Sequence, residues 1–553
     1  MAEPESQLVA QESPPAVRQQ LTGWRLYLLG LALGLANLIM ALDVSIMAPA
    51  LPAITSEFRT VDDIGWYSSV YLLVQMSCQP VFGRLLQFYE PKMFYMASLV
   101  VFEVGSIVCA TSPSSVALVL GRAVAGAGAA GIVTGSLAIF GDTAPLRERP
   151  RGMAVIAALQ SVAYLAGPVV SGALTDSRLT WRFNFWINLP IGFVSFVTVF
   201  FVIARRPSPK ADTPLTQKLW GVDPAGAVIL TSSFVCLFLA LEWGGNVLPF
   251  SSSRVWGTFL GFGLLAICFA GWEAWRKDNA IIPLRILHQR TVAVCCAFSF
   301  LYALASITFS MLLPTYFQTV HSASATQSGL YYMPTTLLSV LGILITGFSV
   351  TAWRYYTPFL HLGPLLFLAG SVLFHRLTPE STQGEYLGYQ VLTGLGFGLS
   401  IHVSMIAVQV VSLPEDMPTA CVTELLCGQL GGAVGASVAQ NVFLSQLRTE
   451  LGRIVSAEEA VRFADGGLEA MVKGMGGMEE GVREGFRGAL NDAVTMAFVM
   501  PIAATVAAEV VSWFVEQRRL EEETGKTGEE SRTTTSGSED VEAAEEKKVG
   551  DAV

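Results

Sequence analysis

Residues 42–52 read Leu-Asp-Val-Ser-Ile-Met-Ala-Pro-Ala-Leu-Pro, and Asp43 lies inside the first long apolar segment of the chain. A carboxylate in the hydrocarbon of a bilayer costs about 2.5–3.5 kcal/mol on insertion scales. Such a residue is usually retained because it faces a cavity, binds a cation or carries a proton. Asp43 is therefore the first indication of transport chemistry in this chain.

The composition places the whole chain in the membrane class. It is 52% hydrophobic and 14% charged, whereas soluble proteins carry about 25% charged residues. Its mean hydropathy is +0.51. Much of the net charge of −10 comes from the acidic tail after residue 520. The sequence has no cluster of basic residues that would indicate binding of nucleic acid. The first 20 residues lack the apolar core of a cleavable signal, so we expect the first span to remain as an anchor.

Because a transmembrane helix needs about 20 apolar residues, the sequence predicts fourteen spans, with twelve or thirteen as the alternative. The predicted spans are 26–50, 65–86, 93–112, 116–140, 153–175, 185–204, 224–244, 256–275, 292–317, 329–350, 356–376, 387–411, 420–444 and 492–514. With the amino terminus inside, five basic residues lie in the short outer loops and eighteen lie on the inner side. This bias predicts that both termini are cytosolic.

The predicted domains follow from these spans. They are a disordered cytosolic amino terminus (1–24), an N-terminal six-helix bundle (25–205), a linker region with transmembrane helices 7 and 8 (206–291), a C-terminal six-helix bundle with a long outer loop at 445–491 (292–515), and a disordered acidic cytosolic tail (516–553). The tail is too polar to bury a core.

Several short motifs follow one another at characteristic spacings. They are Gly-Arg-Leu-Leu-Gln-Phe-Tyr-Glu-Pro-Lys (83–92), Gly-Arg-Ala-Val-Ala-Gly-Ala-Gly-Ala-Ala-Gly (121–131), Gly-Pro-Val-Val-Ser-Gly-Ala-Leu-Thr-Asp (167–176), Trp-Arg-Phe-Asn-Phe-Trp-Ile-Asn-Leu-Pro-Ile-Gly (181–192), Leu-Pro-Thr-Tyr-Phe-Gln (313–318) and Gln-Leu-Gly-Gly-Ala-Val-Gly-Ala-Ser-Val-Ala-Gln (429–440). In this order they resemble the major facilitator superfamily, specifically its fourteen-span drug:proton antiporter branch in fungi. The resemblance covers residues 25–515.

The resemblance implies an all-α fold of two six-helix bundles with fourteen transmembrane helices, of which spans 7 and 8 are linker helices. It also implies proton-coupled efflux of a moderately apolar organic compound, such as a toxin, secondary metabolite or drug. The alternatives are an uptake permease, such as a siderophore–iron carrier, and a non-transporting membrane sensor.

We expect no enzyme activity, cofactor or metal, because the sequence has no phosphate-binding loop and no metal-ligand cluster. We expect a monomer in the plasma membrane, with the vacuolar membrane as the alternative.

Asp43, Arg122 and Glu103 are the predicted proton-coupling residues. Asp43 lies about 27 Å from the inner end of the first span, and Arg122 lies about 9 Å from the outer end of the fourth. Both side chains therefore lie in the outer part of a hydrocarbon core about 30 Å thick, and we expect them to pair in one conformation. Glu103 lies near the middle of the third span. The alternatives are a structural partner for Asp43, snorkelling of Arg122 to the interface and a structural hydrogen bond at Glu103.

Gly167, Pro168 and Gly172 resemble the antiporter signature of the fifth span. Proline removes a backbone hydrogen bond and bends a helix, and glycine permits close approach of another helix. By resemblance, this signature is typical of exporters in the superfamily, although close packing alone would use the same residues.

Five polar residues in or beside the spans are candidates for lining a substrate cavity. They are Asn37, Gln160, Gln318, His402 and Gln409. A broad cavity with few hydrogen-bonding groups suits an apolar ligand. Each residue alone is more typical of a helix–helix hydrogen bond than of a ligand contact.

By resemblance, charge pairing in the loop after the second span latches the two bundles on the cytosolic side. Gln87 stands where the family usually has Asp. The latch should therefore be weaker or carried by the next inner loop. The candidate residues are Gly83, Arg84, Asp142, Arg147 and Arg151.

Overall fold

The computed structural model describes residues 21–59, 63–175, 177–204, 214, 218, 221–244, 251–323, 325–413, 416–456 and 480–520. Nearly all of these residues are helical. The terminal face is defined here as the side of the protein at which the first helix begins and the last one ends, and the opposite face is the other side. Leu21 already belongs to the fold, since its backbone N–H donates to the carbonyl of Thr143, 2.9 Å away, at the terminal face.

The N-terminal half contains eight helices that build six membrane crossings. They are α1 (Trp24–Ser45), α2 (Met47–Phe58), α3 (Ile64–Leu85), α4 (Pro91–Ala110), α5 (Ser115–Thr143), α6 (Arg149–Thr175), α7 (Phe183–Trp186) and α8 (Asn188–Val202). Local signals mark their ends. Pro91 occupies the first turn of α4, where no backbone donor is needed. Ser114 caps α5 by accepting from the N–H of Ala117.

Two linker helices and the C-terminal half follow. They are α9 (Pro224–Trp243), α10 (Ser253–Arg276), the short α11 (Leu284–Leu287), α12 (Arg290–Thr319), α13 (Ala325–Trp353), α14 (Thr357–His375), α15 (Gln383–Ser400), α16 (Val403–Val411), α17 (Met417–Leu451), α18 (Glu480–Ala497) and α19 (Val499–Ser512). The pairs α15–α16 and α18–α19 each form one crossing with a short interruption.

Within the described residues, thirteen helical segments are long and apolar enough to cross a membrane. The remaining crossing is α3, whose 22 residues also suffice for a bilayer. Its interior positions include the buried amides of Gln75 and Gln79, which lower its hydropathy. The predicted all-α fold class is confirmed, and the count of fourteen crossings includes α3 on its length alone.

Small residues bring helices of one bundle into backbone contact. A Cβ added at Gly128 of α5 would lie 2.3 Å from the backbone nitrogen of Phe102 on α4, and one at Gly105 of α4 would lie 2.4 Å from that of Ala125. No side chain fits these positions, so the two helices are held at the short separation that only glycine allows.

The two bundles meet along α3–α17 and α6–α13. Near the terminal face, Gly347 of α13 packs on Ala154 and on the carbonyl of Pro150 in α6. The closed terminal face is defined here by these contacts and by those of Gly83 and Arg151 described below.

The linker helices lie beside this seam. The α9 helix contacts both α3 and α17. Asp223 caps α9 and also accepts from the indole of Trp272 on α10, at 3.0 Å. Arg285, in α11, forms a two-point ion pair with the buried Asp416 at 2.7 and 2.8 Å. The linker region is therefore fastened to the first turn of α17.

Three predicted boundaries need correction. The described helices include 445–451 and 480–491, so the outer loop expected at 445–491 is much shorter. The tail expected to be disordered from 516 is ordered to Leu520, because this side chain is buried and its N–H donates to Arg354. The amino terminus is ordered from Leu21. Residues 1–20 and 521–553 lie outside the described residues, as do the middle of the loop and most of 205–220.

Candidate functional site

Asp43 and Arg122 form a buried ion pair in the N-terminal bundle. Asp43 lies on the last turns of α1 and Arg122 on the second turn of α5; their exposed fractions are 0% and 1%. One guanidinium N–H of Arg122 donates to Asp43 Oδ2. Its Nε donates to the carbonyl of Tyr67 at 2.9 Å, and its Cζ lies 4.4 Å from the ring centre of Tyr71. The arginine is thus held on three sides.

Asn188, the first residue of α8, supports the second oxygen of the carboxylate. Its amide Nδ2 donates to Asp43 Oδ1 at 3.3 Å and to Ser106 Oγ of α4 at 3.1 Å. Asn188 and Ser106 are both fully buried. Four spans therefore converge on one carboxylate.

Glu103 lies one turn from Ser106 on the same helix, in the neighbourhood of the pair. Its carboxylate sits against α8, since a Cβ added at Gly192 would lie 1.7 Å from Glu103 Oε1. Both carboxylate oxygens are buried, and neither has a hydrogen-bond partner among the described residues. A buried carboxylate without a cation or donor is strongly disfavoured in its ionised form. Glu103 is therefore suited to hold a proton.

The region containing Asp43, Arg122, Asn188 and Glu103 is called the carboxylate centre below. The ion pair is electrically balanced as long as Asp43 is ionised. Protonation of Asp43 would leave a buried guanidinium without its anion, which costs about 3–5 kcal/mol when a buried pair is broken. The arrangement of the helices around the pair is therefore favoured while Asp43 is ionised.

The residues of the antiporter-type signature occupy the half of α6 nearer the opposite face. A Cβ at Gly167 would lie 1.8 Å from Ser45 Oγ at the end of α1. Ser45 Oγ also donates to the carbonyl of Ala163 at 3.3 Å. Pro168 is accommodated inside a continuous helix. At Gly172, an added Cβ meets no described atom within 4 Å. Only Gly167 is therefore required for close approach in this conformation.

Two of the cavity candidates lie in the N-terminal half. Asn37 is buried and donates to the carbonyl of Leu33 at 2.8 Å and to Ser136 Oγ at 3.1 Å. It therefore joins α1 to α5. Gln160 is half-buried on α6 and lies within hydrogen-bond reach of the Tyr164 hydroxyl.

The other three cavity candidates are dispersed in the C-terminal half. Gln318 is half-buried near the opposite face, where it donates to Ser328 Oγ at 3.5 Å. His402 is half-buried in the interruption between α15 and α16 and lines a narrow gap between the bundles. Gln409 is buried on α16, with its carbonyl oxygen unbonded among the described residues. The structure does not assemble the five candidates into one site.

The expected latch residues after α3 contact the linker and the second bundle. A Cβ at Gly83 would lie 3.4 Å from Val422 of α17. Arg84 is buried and donates to the carbonyl of Gly221 at 3.1 Å and to Gln87 Oε1 at 2.7 Å. The amide of Gln87 in turn donates to Thr419 of α17 at 3.2 Å. Gln87 thus makes a neutral contact with the first turn of α17.

The next loop supplies a second contact across the terminal face. The guanidinium of Arg151 lies 5.1 Å from the ring centre of Phe348 on α13. It also donates to the hydroxyl of Tyr27 at 3.0 Å. Asp142 and Arg147 are half-buried at the end of α5 and in the loop that follows.

Sequence reasoning missed three residues of this region. Asn188 belongs to the quoted motif at 181–192, but nothing in the sequence indicated that its amide lies beside the carboxylate of Asp43. Ser106 gave none, and Tyr71 looked like an ordinary aromatic of a span. Among the described residues, no group of three or more His, Cys, Asp or Glu is placed to hold a metal ion.

A family model described as the Major Facilitator Superfamily matches residues 33–436. The chain therefore belongs to the major facilitator superfamily, and it is a multi-pass membrane transporter rather than an enzyme. The predictions of family and of transport function are confirmed.

Its relatives include fungal transporters of similar length. The chain is 40% identical to MFS-type transporter ltbE of Aspergillus luteorubrus over 464 residues, covering 83% of this chain and 84% of that one. It is 39% identical to efflux pump aunC of Aspergillus niger, covering 78% and 76%. It is 39% identical to the aspyridones efflux protein of Neocamarosporium betae, with the same coverage. Two of these relatives are named as efflux proteins.

Solved structures agree on the fold alone. The human organic anion transporter MFSD10 matches with a TM-score of 0.55 and 17% identity, covering 87% of this chain and 99% of that chain. The proton:xylose symporter XylE matches with a TM-score of 0.57 and 10% identity, covering 90% and 97%.

Proposed function

We propose that this transporter exports a moderately apolar fungal secondary metabolite or toxin in exchange for protons, with the carboxylate centre as the coupling site. The observation that carries the proposal is the fully buried Asp43–Arg122 pair, supported by Asn188. Export as the direction is supported by relatives named as efflux proteins and by the resemblance of Gly167, Pro168 and Gly172 to the antiporter signature.

The proposed cycle uses the electrostatics of this pair. A proton arriving from the opposite face binds Asp43 and removes its charge. Arg122 then loses its anion in a low-dielectric site, so the arrangement of α1 and α5 that holds the pair loses its stabilisation. The helices shift and the bundles rock about the substrate cavity. Release of the proton at the terminal face restores the pair.

Glu103 is proposed as the neighbouring proton carrier. Because its oxygens are buried and unbonded, the side chain is better accommodated as a neutral acid than as an anion. Its contact with Gly192 places it on α8, the helix that begins with Asn188. A proton displaced from one carboxyl group thus has a second acceptor nearby.

We assign the terminal face to the cytosol and the protein to the plasma membrane, as a monomer. The excess of basic residues on the terminal face supports this orientation. In the conformation described, the contacts of Arg151 with Phe348 and of Gln87 with Thr419 close that face. Gly83, Arg84, Asp142, Arg147 and Arg151 are proposed as its latch, and Gly167, Pro168 and Gly172 as the hinge.

The cargo should be found by deleting the gene in its host and comparing metabolite retention and toxin sensitivity with the parent strain. Flux of the retained compound is then measured in inverted vesicles under an imposed pH gradient. Proton-driven accumulation supports export. Accumulation only in right-side-out vesicles indicates uptake, and the absence of flux with an altered cellular response indicates a sensor.

The coupling role is tested with variants of the pair. Asp43→Asn and Arg122→Gln should each reduce gradient-driven flux at least tenfold, because each leaves a buried charge without its partner. The double variant should recover protein yield, since no buried charge remains, but not coupling. The matched control is the partly exposed pair of Glu57 and Arg182; Glu57→Gln and Arg182→Gln should retain flux. Gradient-driven export by the double variant would refute the assignment.

A further inference from the structure

A second buried carboxylate, Glu424, lies in the C-terminal bundle. It is 4% exposed and lies on α17, seven residues after Met417, which is about 10 Å along the helix axis from the terminal face. The hydroxyl oxygens of Ser299 on α12 and of Ser404 on α16 both lie within hydrogen-bond distance of its Oε1; the separation from Ser404 is 2.6 Å. The two serine hydroxyls are themselves 3.0 Å apart.

These three oxygens form a closed triangle, and counting hydrogens decides which form of Glu424 fits it. If the carboxyl group is ionised, the two serine hydroxyls supply only two hydrogens for the three oxygen–oxygen contacts, so one contact has no hydrogen bond. If Glu424 is protonated, three hydrogens are available for the three oxygen–oxygen contacts. Each of the three oxygens then donates one hydrogen bond and accepts one. The triangle as a whole is therefore satisfied by the carboxylic acid.

The charges around Glu424 favour the same form. No salt bridge to Glu424 is found among the described residues, in contrast to Asp43 with Arg122. The titratable groups that face it or lie on the packed elements are the thiols of Cys295 and Cys296 on α12 and those of Cys421 and Cys427 on α17. The charged groups nearest along these elements are Asp416, just before α17, and Arg149, at the start of α6. The guanidinium of Arg149 contacts the sulfur of Met417 at 3.8 Å, two helical turns from Glu424.

The position of Glu424 connects it to the closed terminal face. Val422, two residues earlier on α17, is the side chain on which Gly83 of α3 packs, and Thr419 accepts from Gln87. These are the contacts that must separate when the terminal face opens. Their separation would expose the first turns of α17 to water, and Glu424 follows Val422 by two residues on this helix.

We propose that Glu424, held by Ser299 and Ser404, is a second proton-carrying site that exchanges its proton with the terminal face. The proposal rests on the proposed proton-coupled export. It adds one carrier in the C-terminal bundle to the carboxylate centre in the N-terminal bundle. Glu424 binds the proton on a carboxylate oxygen and releases it to water when α3 and α17 separate, and the proton balance involves no other reactant.

The test is infrared spectroscopy of the full chain reconstituted in lipid, with protons and deuterons as the only probes. The C=O stretching band of a protonated carboxyl group at neutral pH should be lost in Glu424→Gln and kept in Asp43→Asn. Ser299→Ala and Ser404→Ala should shift it. Loss of a carboxylate band in Glu424→Gln, with no loss of a carboxylic-acid band, would overturn the proposal. Because no cargo is used, failure of the export proposal does not affect this outcome.

Exchange in D₂O distinguishes a carrier from a static acid. The band should shift within the time in which the protein changes conformation, and a short thiol cross-linker between Gln87→Cys and Thr419→Cys should slow this shift at least tenfold. The controls are the variants that carry only one of the two substitutions, treated with the same reagent. A band that never exchanges shows a structural acid, and exchange unaffected by the cross-link shows access from the opposite face; either result contradicts the proposal.

Discussion

Asn188 and Asp43 are joined by a hydrogen bond of 3.3 Å, although they are separated by 145 residues of sequence. The bond fixes the carboxylate oxygen that Arg122 does not hold. The start of α8 is thereby tied to the end of α1, at the depth where the proposed proton binds. A side-chain amide suits this position because it donates without adding charge to a balanced pair.

Replacement of Asn188 should therefore affect coupling by charge as well as by position. Asn188→Ala removes a hydrogen bond to a charged group, worth about 1.5–3 kcal/mol, and should slow gradient-driven export roughly tenfold. Asn188→Asp should be more damaging, because two carboxylates at this distance do not both ionise and the site keeps a proton. Flux is measured in vesicles with matched protein content. Equal effects of both replacements would contradict a role through charge.

Gly192 should be intolerant of any side chain because of Glu103. A Cβ at Gly192 would lie 1.7 Å from Glu103 Oε1, so Gly192→Ala must displace the carboxyl group or separate α4 from α8. We expect a lower midpoint of thermal unfolding and reduced flux. Gly263→Ala is the matched control, since a Cβ there meets no described atom within 4 Å.

The double variant Gly192→Ala with Glu103→Ala separates the two explanations. Removal of the carboxyl group should restore the unfolding midpoint, because the clash is with that group. Flux should remain reduced if Glu103 carries protons. An unfolding midpoint that stays low would show that the backbone of α8, and not Glu103, requires the glycine.

Gly167 and Gly172 belong to the same signature, but substitution of each should affect stability differently. Gly167→Ala places a methyl group 1.8 Å from Ser45 Oγ, whereas Gly172→Ala meets open space in this conformation. Gly167→Ala should therefore reduce stability, and adding Ser45→Gly should recover it. Gly172→Ala should leave stability unchanged and affect transport only if α6 closes there in another conformation. Thermal unfolding and flux measured on the same preparations distinguish these outcomes.

The fold was predictable from the sequence because span length, loop charge and motif order each constrain it. The depths of Asp43 and Arg122 were also predictable, since residues along a helix advance by a constant rise. Rotation about the helix axes was not predictable at this level. Asn188 and Ser106 could therefore not be placed beside Asp43 without the packing of α4 and α8.

The same limit explains the cavity candidates and Glu424. Polar residues within spans identified Asn37 and Gln318 but not the direction in which they point, and the structure places them in separate helix contacts. The triangle around Glu424 joins residues separated by up to 125 positions. Only the three-dimensional arrangement of α12, α16 and α17 brings those oxygens together.

The contact between Gln87 and Thr419 should set how readily the terminal face opens. It is a single neutral hydrogen bond of 3.2 Å, worth about 1 kcal/mol. Gln87→Ala should therefore raise the population open at the terminal face about fivefold. Gln87→Glu should lower it, because a carboxylate would gain an ion pair with Arg84 and would lie near the positive end of the α17 dipole.

Cys421 is a native reporter for this equilibrium, since it is 1% exposed and lies two residues beyond Thr419. Its rate of maleimide labelling, in a chain whose other seven cysteines are replaced by alanine, should rise in Gln87→Ala and fall in Gln87→Glu. Gln446→Ala removes a comparable amide near the opposite face and should not alter the rate. If both replacements at position 87 label at the parent rate, then closure of the terminal face depends on other contacts, of which Arg151 with Phe348 is the next to test.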